Sequence, residues 1–191
     1  MRSRSFLLSL TVFALAASAQ NKRPMQYADT NDWRSISAQR LSPNGKFLGY
    51  ALFPQDGNGE VVIRDLAAKS EIREPAGARP APPPPDPERE GPPIQRSTVL
   101  NFSADSKWVA FTTFPTKEEA KADAKKKEAE RAKGDLVVMA LGGAKARYKN
   151  VKSYQMPSEG NGFLAFLYDN KEKQLVLMKL GGEATKTIDG V

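Results

Sequence analysis

At 191 residues, 40% hydrophobic and 27% charged, the chain is long enough for one domain with a sizeable core, and its composition is neither disordered nor membrane-like. The net charge of +7 is spread through mixed-sign runs with no basic stripe and interleaved aromatics, so no nucleic-acid partner is expected. With no cysteine and no histidine, the chain has no disulfide, no thiolate or imidazole metal ligand, no thiol nucleophile and no base for a Ser-His-Asp triad.

The first predicted element is a leader. "MRSRS" is basic, "FLLSLTVFALAA" is an apolar stretch of twelve, and Ala17-Ser18-Ala19 is a small-residue cleavage site. Residues 1–19 therefore read as a secretory signal peptide, cut between Ala19 and Gln20. A membrane anchor wants about 18 or more apolar residues, so no membrane attachment is expected after cleavage. No cysteine follows the site, which argues against a lipoprotein. The chain is expected to be exported, to the periplasm or beyond. Residues 20–34 form a polar lead-in.

Three units follow that can be laid over one another, starting near Ser35, Ser97 and Val151. Each opens with a short strand ending in a large apolar residue, Leu41, Phe102 or Met156, then a polar turn, "SPNG", "SADS" or "PSEGN". The turn motif is carried by Ser42, Pro43, Asn44 and Gly45 in the first unit and by Ser103, Asp105 and Ser106 in the second. Proline after serine presets a turn φ, and Asn-Gly or Asp-Ser tolerates an unusual backbone. A second strand follows ("KFLGYAL", "KWVAFTT", "GFLAFLY"), then a third, β-branched one ("EVVIRDL", "DLVVMAL", "QLVLMKL"). A small-residue turn leads to a fourth, more polar strand ("EIRE", "ARYKN", "TKTID").

Four antiparallel strands joined by tight turns make the blade of a β-propeller. A β-sandwich also has Gly-rich hairpins, but it does not require every strand to recur in the same order with the same turn chemistry. The expected fold is all-β: a β-propeller fragment of about three four-stranded antiparallel blades, near 35–74, 94–150 and 151–191. Two insertions interrupt it, and without them the units shrink to about 40 residues each. Residues 75–93 hold nine of the fourteen prolines and should lie extended on the surface. Residues 116–134 are Ala-rich with mixed charge and favour an exposed helix, with Asp123 and Lys127 as an i,i+4 pair.

Candidate sites are few. Asp56, Asn58 and Glu60 in "DGNGE" start a calcium-loop spacing but lack its later bidentate glutamate. A Gly-rich hairpin accounts for them, so no metal is expected, and no cofactor either. Glu118-Glu119 could hold a peptide's amino terminus, though solvated ion pairs are the default there. Trp33 and Trp108 read as packing residues. Neither S-x-x-K nor G-x-S-x-G occurs. No catalytic residue is expected, and the chain alone is not expected to be an enzyme.

"DWRSISAQRLSPNGKFLGYALFPQDGNGEVVIRDL", continued by "FSADSKWVAFTTFPTKEEA" and "VKSYQMPSEGNGFLAF", resembles the N-terminal propeller of exported bacterial serine peptidases of the prolyl oligopeptidase family. The likeness covers about residues 27–191. The Ser-Pro-Asx-Gly-Lys turn is shared with Tol-system and other periplasmic propellers. The Asp-Trp-Arg lead-in with the two insertions points to the peptidases.

The resemblance implies a seven-bladed propeller ahead of an α/β-hydrolase domain, restricting entry to short peptides. None of that family's catalytic residues matches a position here. Three blades also leave open edges where propellers close with about four to eight. The expected function is thus the non-catalytic, gating propeller portion of such a peptidase, with peptide substrates met through a missing hydrolase domain and self-association through the open edges. The alternative is a periplasmic interaction module with no attached enzyme.

Overall fold

Alternation of apolar and polar residues, punctuated by turns, folds each repeat unit into its own sheet. The computed structural model describes residues 23–82, 97–127, 130–160, 162–170, 172–182 and 184–190. The Ala19–Gln20 bond and most of the Pro-rich insertion lie outside them. Sheet one contains β1 (Arg34–Leu41), β2 (Phe47–Pro54), β3 (Asn58–Asp65) and β4 (Glu71–Ala78). Sheet two contains β5 (Leu100–Phe102), β6 (Trp108–Thr112), β7 (Leu136–Ala140) and β8 (Lys145–Tyr148). Sheet three contains β9 (Val151–Gln155), β10 (Phe163–Tyr168), β11 (Leu175–Lys179) and β12 (Ala184–Ile188). Every sheet is an antiparallel meander in chain order. The only other regular elements among the described residues are a 3-10 turn at Tyr27–Asp32 and a short helix, α1 (Lys117–Ala122).

The strand period of two gives each sheet two faces, here called forward (towards the next sheet) and rear. The forward face of sheet one (Ala51, Phe53, Val61, Ile63) meets the rear face of sheet two (Leu100, Val109, Phe111, Val137, Met139) in one core. The forward face of sheet two (Ala110, Leu136, Val138) meets the rear face of sheet three (Leu164, Phe166, Val176, Met178) in a second. Sheet two is therefore buried on both faces, which is why β7 reads as a continuous apolar run rather than an alternating one. Three meanders stacked face to face in chain order are consecutive propeller blades.

Three details differ from expectation. Strand β4 runs on to Ala78, four residues into the segment read as insertion. Pro75 is tolerated because β4 is the edge strand of its sheet, and a β-bulge falls between Gly59 and Glu60 opposite it. Helix α1 is far shorter than its insertion. Asp123 caps it and binds the Lys126 ammonium at 2.6 Å, one residue short of the expected Lys127, and accepts the Ala132 N–H at 2.6 Å. Trp108 packs on the second core as expected, but Trp33, just ahead of β1, is 55% exposed.

The two serine turns have the same internal wiring. The Phe47 N–H donates to Ser42 Oγ at 2.9 Å, and Ser42 Oγ donates to Asn44 Oδ1 at 2.8 Å. The Trp108 N–H donates to Ser103 Oγ at 3.0 Å, and Ser103 Oγ donates to Asp105 Oδ1 at 2.6 Å. Asn44 Oδ1 and Asp105 Oδ1 then accept the N–H of Lys46 and Lys107. The Ser103 hydrogen bond holds the Asp105 carboxyl below its ordinary pKa. Gly45 and Ser106 occupy the left-handed position, at φ 71° and 55°. The Asn44 N–H donates to Ser106 Oγ at 3.1 Å, so the first turn rests on the second. Ser103→Ala should cost about 1–3 kcal/mol, because it strips the Trp108 N–H of its acceptor at a buried site. Urea denaturation against wild type checks this.

Candidate functional site

In an antiparallel meander the β1–β2 type of turn lies at one end of the blade, and the β2–β3 and β4–β5 connections at the other. Both insertions therefore leave at the end opposite the serine turns. A groove of about 1620 Å³ opens there, across all three sheets. Phe53 and Phe114 stand with ring centroids 5.9 Å apart, and the Arg79 guanidinium sits 4.4 Å above the Phe53 ring. Arg79 Nη2 donates to Ser37 Oγ at 3.1 Å, while its Nε is buried with no acceptor. Partial burial pulls the Arg79 pKa below its usual value, yet a guanidinium stays charged at any neutral pH.

Tyr154 reaches from sheet three into sheet two along this groove, donating to the Ala110 carbonyl at 2.7 Å and accepting from Asn101 Nδ2 at 3.2 Å. Burial pushes its phenol well above the ordinary range, so it serves as a neutral peg between blades rather than an acid or base.

The rim is held by the second insertion. Phe114 N–H donates to the Ala76 carbonyl and Ala78 N–H to the Pro115 carbonyl, each at 2.8 Å, which docks this segment against β4. Thr116 and Glu119 form a capping box on α1. The Lys117 N–H donates to Asn58 Oδ1 at 2.7 Å, and Lys117 Nζ pairs with Asp56 at 2.6 Å. Asn58 Nδ2 donates to Glu118 at 3.1 Å and holds that carboxyl below its ordinary pKa. Glu118 and Glu119 are thereby spent on separate structural partners.

"DGNGE" is likewise divided. Asp56 and Asn58 face α1, whereas Glu60 accepts from Arg34 at 2.5 Å and from Arg73 at 2.7 Å on the rear face. Among the described residues no three His, Cys, Asp or Glu side chains converge as metal ligands do. The serine-turn residues Ser42, Asn44, Ser103, Asp105 and Ser106 shape the far end and line no part of the groove. The groove residues Arg79, Phe114 and Tyr154 were not singled out from the sequence. The one local signal was Phe114, an aromatic between the end of β6 and the second insertion.

The lining offers aromatic surface and a cationic rim that includes Arg131, Lys133 and Lys152. It suits holding an extended chain or a carboxylate, and among the described residues no nucleophile of the lining is paired with a base.

No family model matches the chain, and no curated protein matches it. Among solved structures it is similar to the β-propeller domain of the Trilobed protease from Pyrococcus furiosus, at 12% identity and TM-score 0.49, over 83% of this chain and 43% of that one. It is also similar to the acylaminoacyl peptidase of Pyrococcus horikoshii (12% identity, TM-score 0.47, 83% of this chain, 25% of that one). A prolyl endopeptidase structure gives 16% identity and TM-score 0.48, over 83% and 22%. The chain spans less than half the length of each. The likeness is one of strand layout; the propeller class follows from the chain's own three stacked meanders.

Proposed function

We propose that these blades are the non-catalytic propeller portion of an exported serine peptidase of the prolyl oligopeptidase family. In this reading they restrict the access of short peptides to a hydrolase domain that residues 1–191 do not contain. The observation that supports it best is the groove at the insertion end. It combines aromatic surface, the half-buried Arg79 and a cationic rim, which equip it to admit and orient a peptide. Sequencing the gene past codon 191 tests this. The expected result is an open frame carrying G-x-S-x-G and a later histidine. A stop at that point with no hydrolase gene beside it would instead favour the second reading, a periplasmic interaction module, to which the exposed apolar residues of the two outer faces lend support.

Export is part of the same proposal and rests on the leader pattern. Edman sequencing of protein released from the periplasm should begin at Gln20. An intact Met1 on soluble protein would refute it.

A further inference from the structure

Arg79 stands apart from the other arginines of the described residues. All of those are exposed, and Arg23, Arg34, Arg73 and Arg147 each pair with a carboxylate. Arg79 alone is partly buried, and among the described residues no carboxylate pairs with it; burial is what lowers its pKa. Its bond to Ser37 uses one of five N–H donors, and Nε is enclosed without an acceptor. A guanidinium withdrawn from water needs a counter-charge to offset the loss of hydration.

The backbone on both sides is bent to place this group. Ser37 opens the bulge in β1, and Ala38 beside it is held in the left-handed region at φ 55°. The other non-glycine residues in that region lie in turns between strands, so Ala38 is the one that interrupts a strand. Bulges of this kind re-aim a side chain, and such strain persists where the surroundings enforce it. The groove around Arg79 carries the same sign of charge. Among the described residues six cationic side chains line it against two carboxylates, and those two, Asp56 and Asp169, are already paired with Lys117 and Lys133.

We propose that Arg79 anchors the C-terminal carboxylate of a short peptide lying in the groove. Ser37 and the Phe53 ring hold the guanidinium in place, and its remaining donors meet the carboxylate. The C-terminal carboxylate is the one anion that every short peptide carries. This rests on the gating reading and sharpens it: what is admitted is held by its carboxyl end.

The test titrates N-acetyl-trialanine and its C-terminal amide into the full chain by calorimetry. The acid should bind at least about tenfold more tightly than the amide, the scale of one charge-assisted hydrogen-bonded contact. Arg79→Gln should bring the acid down to the affinity of the amide. Arg79→Lys keeps the charge and most of the stem, so it serves should Arg79→Gln fail to fold, and without the fork it should still bind the acid more weakly than wild type. Lys46→Gln removes one charge beside the first serine turn, at the far end, and should leave the affinity unchanged. Acid and amide binding alike, an acid that does not bind, Arg79 variants that bind it as wild type does, or an equal loss in Lys46→Gln would each overturn the carboxylate site. The gating reading is decided separately, by the frame beyond codon 191.

Discussion

Replacing Phe111 by alanine should destabilise the chain by about 3–5 kcal/mol, the scale of a large aromatic lost from a core. Phe111 is fully buried in the central sheet on β6, paired in register with Leu100 and Val137 and packed on the forward face of sheet one. The lost contacts come from two sheets, and neither can collapse into the gap without breaking the ladder of its own blade. Because native domains are stable by only about 5–15 kcal/mol, this removes a large share of the total. The urea midpoint should fall with little change in slope. Phe163→Ala, at an exposed position on the forward face of sheet three, should cost under about 1 kcal/mol in the same assay. Equal losses at the two positions would mean that the buried junction is not where the stability lies.

The purified chain should show no hydrolysis of short peptide or aminoacyl reporter substrates above background. Cleaving a peptide bond needs a nucleophile, a base to take its proton and donors for the oxyanion. The chain has no histidine. Its best-wired serines, Ser42 and Ser103, are buried in turns where their hydroxyls donate to Asn44 and Asp105 and accept a backbone N–H. Asp105, held below its usual pKa, is a poor proton acceptor at neutral pH. Turnover that survives repurification and vanishes on mutating one serine of this chain would defeat the prediction.

Much of the architecture was legible because it is written in short-range chemistry repeated three times. Val61-Val62-Ile63, Leu136-Val137-Val138 and their flanking turns specify strands locally. The groove was not legible, because it depends on contacts between residues far apart in sequence. Nothing local to "PAGAR" says that Ala76 and Ala78 will bond to Phe114 and Pro115. Gly77 marks the place: at φ 71°, a Cβ there would collide with the Phe114 carbonyl. Composition correctly suggested that α1 is exposed, but could not show that Asp123 would end it by capturing both a lysine and a distant N–H. Trp33 differs from expectation for a related reason: it lies ahead of β1 on the lip of the groove, a position set by residues far from it in sequence.

A stack in which each layer touches only its neighbours behaves as a one-dimensional chain of coupled units. Among the described residues, the layer carrying β6 and β7 makes two couplings, while each layer beside it makes one. Opening should therefore begin at the outer layers and reach the inner one last. Amide exchange would record that order as a gradient, slowest at Val109–Phe111 and Val137–Met139, faster at the matching positions of β2 and β10.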